Sequence, residues 1–399
     1  MRRVWSCAAA VLACASGAAA EDVTEEAFLV ALGADQLAVR SLGEDLARAE
    51  AARSRAGTLE NPRLDFWREQ PDASPRVTNW TLAWTPPFGR HGLGKSAADA
   101  GIAAAREGLL VEASGLRRRL RQVFAEWGAS HARRELLARR LELVSQLAEQ
   151  ERQRARVGTE SGLSARRLTL AEAEARHALR EAEAAAARAA AEARAWNPGL
   201  PPDAVPVLPN APAPPESVDG SVSPRVRVAE RQLEQAQLEA QLAGRFFMFP
   251  TLQVGIQRQE NRGGVESGPI LAVGWSIPLF DRNQAVRAEA TRRAEIATAR
   301  VQQAQALARA QIEGGLAAYR ALLTSNAEAA SASAETERVI EAATAAYRAG
   351  ETTLTDLLDA LGAAFEARLR EVDARAAALA AHRELEDALA RPLTNGGSR

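Results

Sequence analysis

Two long stretches without proline constrain the fold of this chain more than any other feature. They cover residues 88–197 and 279–391. Because proline is the residue that an α-helix tolerates least, stretches of this length can form very long helices. Glycine interrupts each stretch, near Gly158 in the first and at Gly350 in the second. The sequence therefore predicts two long helical hairpins, the first beginning with a helix from Gly92 to about Arg156.

Short segments with alternating apolar and polar residues precede each of these stretches. Such alternation is typical of a strand with one apolar and one polar face. The pattern covers residues 63–66 and 79–85 in the first half of the chain and 252–256 and 271–277 in the second half. The sequence therefore predicts four strands, two ahead of each hairpin, with a loop at Asn261–Gly268 between the last two.

Further helices are predicted around these strands. Residues 22–57 are expected to form one helix with Thr24 as its N-cap, and another is expected from Pro224 to about Gly244. A glycine recurs every seven residues in the first long helix, at positions 101, 108 and 115. Glycine weakens an isolated helix, so this spacing predicts a seam where a second helix approaches closely.

Landmarks in the two halves of the chain match in order at a nearly constant spacing. Pro62 corresponds to Pro250, Trp84 to Trp275, and Gly158 to Gly350. An internal duplication is the natural interpretation. We expect a first repeat at 21–196, an extended linker at 197–224 that holds nine of the 18 prolines, a second repeat at 225–391 and a flexible tail at 392–399.

The first 20 residues have the features of an export signal. Two arginines precede an apolar stretch, and Ala18 and Ala20 form a small-x-small cleavage pattern. An alternative interpretation takes residues 11–14 as a lipobox, with Cys14 lipidated after cleavage. Both cysteines, Cys7 and Cys14, lie in this leader, so ordinary cleavage would leave a mature chain without thiols.

Four strands with an apolar face cannot by themselves form a structure that lipid tolerates. They are too few to close a barrel, and unpaired N–H and C=O groups at open edges find no water in hydrocarbon. Three chains could instead share one twelve-stranded barrel. The aromatic residues near strand ends would then lie at the membrane interface: Trp80, Trp84, Trp275 and Phe280. The alternative is a small soluble sheet packed on helices, although such a sheet has no need of helices this long.

The order of these motifs resembles that of a known family. Asn61–Leu64, Pro278–Asn283, Tyr347–Glu351 and Asp356–Asp359, together with the duplicated plan, are similar to the outer-membrane factor (TolC-like) family. The segments Gly57–Pro62 and Pro278–Asn283 resemble its heavy-metal (CzcC-like) branch.

The resemblance implies both a fold and an assembly. The fold is mainly α-helical with a small β part, in which a strand-strand-long helix-helix unit is used twice. Three copies form a trimeric α-helical tunnel that carries a shared twelve-stranded outer-membrane β-barrel and extends into the periplasm.

The implied function is that of a passive exit duct in a tripartite efflux pump, not that of an enzyme. The partners would be a periplasmic adaptor (membrane fusion) protein, an inner-membrane RND-type transporter and outer-membrane lipid. Heavy-metal cations are the expected cargo. Multidrug efflux and type I secretion remain alternatives within this class, and a soluble periplasmic coiled-coil scaffold remains one outside it.

The resemblance also assigns roles to the two hairpin tips, which lie at Arg156–Leu168 and Tyr347–Leu361. In the family these tips close the periplasmic end of the tunnel and receive the adaptor. The residues expected to receive it here are Gly158, Gly162, Leu163, Ser164, Gly350, Thr352 and Leu354.

The second tip carries the residues that match a periplasmic gate. Asp356 and Asp359 correspond to paired aspartates that constrict the pore, and Tyr347 to a residue that ties neighbouring helices together. A spacing of three places both aspartates on one helix face, opposite a stripe formed by Leu354, Leu358 and Leu361. Six carboxylates around the axis of a trimer would attract cations and raise one another's pKa values. Ser164 and Arg167 stand at the corresponding places of the first tip, so the second repeat alone would supply the ring.

Simpler roles remain open for the same residues. Thr353 and Asp356 fit a capping box, Asp359 could be an ordinary surface carboxylate, and Tyr347 could be a packing residue. The four histidines are scattered without ligand spacing, and no nucleophile–base pair or phosphate-binding loop is recognisable. We therefore expect no catalytic residue, no cofactor and no bound metal. The formal net charge of −1 gives no reason to expect nucleic acid.

Overall fold

The structure is a computed structural model that describes residues 22–30, 42–70, 75–86, 90–157, 162–215, 223–244, 250–261, 263–275, 277, 279–280 and 282–390. The predicted signal segment with Cys14, the predicted tip residue Gly158 and the predicted tail at 392–399 lie outside these ranges.

Within these ranges the chain forms eight helices and six strands. The helices are α1 (Glu25–Val30), α2 (Glu44–Gly57), α3 (Arg90–Arg156), α4 (Gly162–Trp196), α5 (Pro224–Gly244), α6 (Gln284–Ala334), α7 (Thr336–Ala349) and α8 (Leu354–Leu389). The strands are β1 (Asp22–Val23), β2 (Arg63–Glu69), β3 (Arg76–Trp84), β4 (Val205–Pro206), β5 (Pro250–Asn261) and β6 (Gly264–Trp275). The expected fold class, mainly helical with a small β part, is confirmed.

The chain divides into two compact units. The described residues of 1–33, 119–212 and 319–383 form one, which we call the helical unit. Those of 34–118, 213–318 and 384–399 form the other, which contains the larger sheet and is called the sheet unit.

The larger sheet has four antiparallel strands in the order β2-β3-β5-β6. The two strands of each predicted repeat are neighbours, and the pairing of Trp84 with Leu252 at one end of β3 and β5 joins the halves. All four connections to helices leave from this end, whereas the two strand-to-strand turns lie at the other end. We call these the helix end and the turn end.

The two faces of this sheet differ sharply in chemistry. One face, here the apolar face, presents four successive rows across the strands at the helix end and middle: Pro250–Trp275, Trp84–Leu252–Val273, Leu64–Leu82–Val254–Leu271 and Phe66–Trp80–Ile256–Pro269. Most of its side chains are exposed, for example Leu271 at 82% and Ile256 at 60%. The opposite face carries mainly polar or small residues, among them Asn79, Thr81 and Gln257.

The long helix after β3 was predicted closely, because Gly92 to Arg156 was expected and α3 covers Arg90–Arg156. Its glycine seam was predicted less well. A Cβ atom at Gly101 would lie 3.3 Å from the Gln235 side chain of α5, whereas one at Gly108 or Gly115 would meet no described atom within 4 Å. Within the described chain the close approach is therefore limited to Gly101.

The prediction of one helix over residues 22–57 was wrong. Residues 22–23 form β1, which pairs in parallel with β4 of the proline-rich linker. A separate helix, α2, starts after Gly43, whose φ of 87° is incompatible with a right-handed helix. The Thr24 cap is confirmed, because its hydroxyl accepts a hydrogen bond from the N–H of Ala27 at 3.3 Å.

The prediction of a loop at Asn261–Gly268 was also wrong. β5 extends to Asn261 and β6 already begins at Gly264, and these two residues pair directly at the turn. The apolar alternation ends before the strands do, which is why the pattern gave no sign of their true length. Gly264, with a φ of 147°, provides the tight turn.

The second long hairpin contains a break that the sequence did not predict. Glu335 interrupts the helix between α6 and α7. There the Thr336 hydroxyl donates a hydrogen bond to the carbonyl of Ser333 at 2.7 Å and accepts one from Nε of Arg368 on α8 at 2.7 Å. Bonding from a threonine side chain to the preceding turn competes with the helical backbone pattern.

The core of the helical unit is partly aromatic. Phe28 and Phe124 are fully buried, with their ring centroids 5.5 Å apart, and Trp127 meets Phe124 edge-on at 6.0 Å. Beside them, Glu25 is paired with Arg121 and, at 2.6 Å, with the buried Arg383. An uncompensated charge would be costly at such a place.

The sheet unit contains a second polar cluster, which is centred on Asp387 of α8. The carboxylate accepts hydrogen bonds from Arg225 of α5 at 2.7 Å and from Ser114 of α3 at 3.0 Å. Arg118 lies 3.4 Å away. Three helices are thereby held at one point of this unit.

No helix among the described residues combines the length and the apolar character needed to cross a membrane.

Candidate functional site

The second hairpin tip is a turn that depends on one glycine. Gly350 caps α7 with a φ of 78°, and its N–H bonds to the carbonyl of Tyr347 at 3.1 Å. The N–H of Glu351 reaches the carbonyl of Ala346 at 2.9 Å. This pattern satisfies carbonyl groups that the helix leaves without partners, and it needs a residue that tolerates the left-handed region. The turn predicted at Gly350 is confirmed.

Thr353 and Asp356 form the capping box that the sequence suggested. The Asp356 N–H donates to the Thr353 hydroxyl at 3.2 Å, and the Thr353 N–H donates to the Asp356 carboxylate at 3.2 Å. The Thr353 hydroxyl also donates to that carboxylate at 2.7 Å. Two hydrogen bonds hold the pKa of Asp356 below its usual value. The larger effect comes from the Thr353 hydroxyl and the smaller one from the Thr353 backbone N–H. The carboxylate is therefore ionised at neutral pH.

Asp359 lies one turn beyond Asp356 on α8, and both side chains are exposed. The opposite side of α8 packs into a cluster with the first hairpin, in which Leu357 is 1% exposed and Leu361 2%. The expected stripe of Leu354, Leu358 and Leu361 needs one correction, because Leu358 lies at the edge of the cluster and Leu357 takes its place in the centre. The two aspartates thus share an exposed face of an otherwise well-packed helix.

Tyr347 is half-buried and packs against this same leucine cluster. The tyrosine joins the last turn of α7 to the first turns of α8, a position that suits a packing role. Thr352 is exposed beside the turn, whereas Leu354 is only 7% exposed. Leu354 therefore supports the tip from within instead of offering its side chain to a partner.

The first tip is described from residue 162 onward. Gly162 is the first residue of α4. Leu163 is 64% exposed, and Ser164 is half-buried. Leu168, the residue at the far bound of the predicted tip, is fully buried against Leu147 and Leu357.

A hydrogen bond connects the two tips. Nη1 of Arg167 donates to the Thr355 hydroxyl at 2.8 Å. Sequence comparison of the two repeats had singled out Arg167 only as the counterpart of Asp359. Its partner could not be foreseen, because the two residues are far apart in the sequence.

The helices behind the first tip hold a charged network that sequence reasoning also missed. Arg152 of α3 bonds to Glu172 of α4 at 2.5 Å, and this bond raises the pKa of the Arg152 guanidinium. Hydrogen bonds from Gln153 and Arg152 lower the pKa of Glu149. Glu151, only 1% exposed, pairs with Arg154 at 2.9 Å. These residues looked like ordinary charged helix positions in the sequence.

The four aromatic residues expected at a membrane interface occupy different levels of the sheet unit. Trp84 and Trp275 lie at the helix end, and Trp84 donates from its indole nitrogen to the carbonyl of Glu60 at 3.1 Å. Phe280 follows β6 and is 92% exposed. Trp80, in contrast, lies in the middle of β3 against Phe66, with ring centroids 4.5 Å apart. Trp80 is therefore not near a strand end.

Among the described residues, no group of three or more His, Cys, Asp or Glu side chains is placed to hold a metal ion.

Comparisons with known proteins agree with this architecture. Residues 221–391 match the family model described as outer membrane efflux protein. The structure of CusC has a TM-score of 0.77 at 17% identity, covering 92% of this chain and 91% of that one. VceC from Vibrio cholerae has a TM-score of 0.76 at 17% identity, with 93% and 97% covered. The open state of MtrE from Neisseria gonorrhoeae has a TM-score of 0.72 at 17% identity, with 92% and 89% covered. A search of curated proteins found no significant match.

The chain therefore shares the fold of these solved structures, which is mainly helical with a small β part. The match to the outer membrane efflux protein family covers residues 221–391, which is less than half of the chain.

Proposed function

We propose that three copies of this chain form a channel of the outer membrane that extends into the periplasm, and that this channel is the exit duct of a tripartite pump that exports heavy-metal cations. In this proposal it works with a periplasmic adaptor (membrane fusion) protein and an inner-membrane RND-type transporter. The observation that carries the duct is the sheet of the sheet unit, whose apolar face is exposed and whose edge strands β2 and β6 have no partner among the described residues.

An exposed apolar face with open edges needs both lipid and further strands. Three copies of the sheet, joined edge to edge, form one closed sheet of twelve strands in which every backbone group is paired. The apolar rows then face hydrocarbon, and the face with Asn79, Thr81 and Gln257 lines water. Trp84, Trp275 and Phe280 lie at the interface on the helix end, where amphipathic rings are favoured.

The hairpin tips form the periplasmic gate in this proposal. Asp356 and Asp359 of three chains surround one axis with six carboxylates, and Tyr347 helps to hold the helices that carry them. The capping box supports this role, because the bonds from Thr353 keep Asp356 ionised and fix its position. Cap and gate are therefore compatible functions of one residue.

The adaptor docks on the exposed parts of both tips. The docking residues proposed from the sequence are Gly158, Gly162, Leu163, Ser164, Gly350, Thr352 and Leu354. Among these residues, Leu163 is the best candidate for an apolar contact with the adaptor, because its side chain is 64% exposed. Leu354 is a poor candidate, because it is only 7% exposed.

A ring of carboxylates in a narrow passage favours cations over anions. This preference and the resemblance of Gly57–Pro62 and Pro278–Asn283 to the heavy-metal branch support metal cations as cargo. A duct must release what it conducts, so weak sites suit it better than tight ones.

The test combines transport in cells with conductance in planar bilayers. A strain that lacks the gene should lose tolerance to cadmium, cobalt or zinc ions while keeping its tolerance to dyes and antibiotics. Loss of tolerance to dyes alone would contradict the metal cargo and leave the duct intact. The purified protein should form cation-preferring channels, and Asp356→Ala with Asp359→Ala should raise the conductance and weaken that preference. A protein that forms no channels would contradict the duct itself.

A further inference from the structure

The apolar face of the large sheet ends abruptly in a row made only of hydrogen-bond donors. Directly beyond the row Phe66–Trp80–Ile256–Pro269, the register places Arg68, Thr78, Arg258 and Ser267 side by side on the same face. We call these four residues the donor row. Neighbouring strands are about 4.8 Å apart, so Arg68 and Arg258 originate about 10 Å from each other. Both guanidinium groups can therefore reach one small anionic group.

The donor row is open to its surroundings. The side chain of Arg258 is 57% exposed, and Arg68 and Ser267 are exposed. Thr78, half-buried, lies between the two arginines. Among the described residues of this face, the carboxylate next to the donor row is that of Glu260, which lies 3.6 Å from Nε of Arg258.

The row after the donor row shows that this carboxylate is already shared. In that row Arg76 stands opposite Glu260, and Nη1 of Arg76 lies 3.3 Å from the Glu260 carboxylate. Nε of Arg76 also donates a hydrogen bond to the side chain of Gln70 at 3.1 Å. The two rows together carry three arginines against one carboxylate, so a net positive charge remains on this face.

The opposite face has the reverse charge at the same level. There the register places Glu69, Val77, Gln259 and Glu266 in one row. Its charged residues are two carboxylates, and it has no base. Charge at the turn end is thus sorted by face: basic on the side of the apolar rows and acidic on the other.

We propose that the donor row binds the phosphate of an anionic lipid in the outer leaflet of the outer membrane, namely the phosphorylated sugar headgroup of its glycolipid. This rests on the proposed function, in which the apolar rows face hydrocarbon. Residues that extend about 7 Å, or two residues, beyond the last apolar row meet the headgroups. Guanidinium groups bind phosphate with paired, charge-assisted hydrogen bonds, and the two hydroxyls add further donors.

The leaflet follows from the direction of the strands. All helices connected to this sheet leave from the helix end, and in the proposed function these helices extend into the periplasm. The donor row lies toward the turn end, which therefore faces the outside. That outer leaflet carries the phosphorylated glycolipid.

The test measures lipid binding by the intact purified protein with native mass spectrometry. Diphosphorylated lipid A, dephosphorylated lipid A and phosphatidylglycerol are titrated in separate experiments. The wild type should retain the diphosphorylated form most strongly, and Arg68→Gln with Arg258→Gln should weaken its binding about tenfold. Arg63→Gln is the matched control, because Arg63 lies on the opposite face of the same strand β2 at the helix end.

The remaining outcomes separate this inference from the function on which it rests. Equal binding by wild type and double variant, or an equal loss in Arg63→Gln, would overturn the site. Equal retention of phosphatidylglycerol would overturn its assignment to the glycolipid. If the double variant does not assemble, two other variants replace it: Arg68→Lys with Arg258→Lys, and the single Thr78→Val. The lysine pair should retain most of the affinity for diphosphorylated lipid A, whereas Thr78→Val should lose part of it. If the wild type forms normal channels but binds phosphorylated and dephosphorylated lipid A equally, only the lipid site is rejected. If the wild type forms no channels, the proposed duct is rejected.

Discussion

Arg167 of α4 and Thr355 of α8 are joined by a hydrogen bond of 2.8 Å between Nη1 and the hydroxyl oxygen. The bond connects the tip of the first hairpin to that of the second. It is exposed, so its free energy is modest, about 0.5–1.5 kcal/mol. A modest bond that must break when the tips separate is well suited to a gate.

In the proposed gate, replacing Arg167 should therefore favour separation of the two tips. We expect Arg167→Met to raise the open probability of single channels in planar bilayers by a few fold, because about 1 kcal/mol of closing free energy is removed. Thr355→Val should have the same effect, and the double variant should add little to either single variant. Arg166→Met is the control, since Arg166 is the exposed neighbour on the same turn. An effect of equal size in Arg166→Met would attribute the change to lost positive charge instead of to this bond.

The capping and gating roles of Asp356 can be separated by choice of substitution. Thr353→Ala removes the cap at a typical cost of about 1 kcal/mol and keeps both carboxylates. Asp356→Asn and Asp359→Asn remove one charge each, and asparagine can still accept the capping bonds. We expect both asparagine variants to reduce cation preference, measured as a reversal potential in a salt gradient, and Thr353→Ala to leave it nearly unchanged. A selectivity that depends on Thr353 and not on Asp359 would place the cap, and not the ring, at the origin of the effect.

The cap should also depend on pH in a defined direction. The bonds from Thr353 lower the pKa of Asp356 from its ordinary value of 3.8. Since the folded-state pKa is depressed, the stabilisation is fully present above the ordinary pKa and is lost as the pH falls through the lowered one. Hydrogen exchange of the peptide over residues 350–360 should therefore be faster in Thr353→Ala than in the wild type by a constant factor from pH 8 to 5. That factor should shrink below pH 3.8. A difference that grows on acidification would contradict this sign.

Local features of this fold could be predicted from the sequence, whereas the contacts that assemble it could not. The capping box at Thr353 and the turn at Gly350 depend on residues a few positions apart, and their patterns carry the information directly. The bond between Arg167 and Thr355 and the pairing of Glu25 with Arg383 depend on chain folding over long distances. An exposed and a buried arginine look alike in a sequence rich in arginine and alanine.

The sheet shows the same division between local features, which the sequence predicts, and contacts between distant segments, which it does not. Its apolar alternation identified the strands, but the ends of β5 and β6 were missed because the apolar rows stop at Pro269 and the donor row follows. Trp80 was expected near a strand end because its neighbours in sequence were known and its register was not. Charge sorting between the two faces became visible only when four strands were aligned.

Replacing Gly350 should damage the second tip without damaging the sheet. A β-branched residue at a φ of 78° is strained, by about 1–3 kcal/mol. We expect Gly350→Val to reduce copurification with the adaptor and efflux in cells, while heat-resistant trimers still form in the outer membrane. Gly362→Ala on α8 is the control, because Gly362 is outside the proposed docking set and a Cβ there meets no described atom within 4 Å. Failure of Gly350→Val to reach the membrane would mean that the turn is needed for folding and not only for docking.

Gly255 lies at a position where the two halves of the sheet approach each other closely. A Cβ on Gly255 of β5 would lie 2.1 Å from the carbonyl oxygen of Trp80 and 2.7 Å from the Thr81 side chain on β3. The carbonyl oxygen of Trp80 cannot move without disturbing the β3–β5 pairing. An added methyl group on Gly255 therefore cannot be accommodated without a substantial loss of stability. We expect Gly255→Ala to cost about 1–3 kcal/mol and Gly255→Val more.

The expected result is a loss of assembled trimer, measured as the heat-resistant band of outer-membrane fractions, that is stronger for Gly255→Val than for Gly255→Ala. Gly274→Ala is the matched control, because it lies in the neighbouring strand β6 and its added Cβ meets no described atom within 4 Å. Since β3 and β5 belong to different halves of the chain, a selective effect of Gly255 would show that trimer assembly depends on this pairing within each copy. Normal trimer levels in Gly255→Val would instead mean that β3 and β5 lie further apart at this point than the register requires.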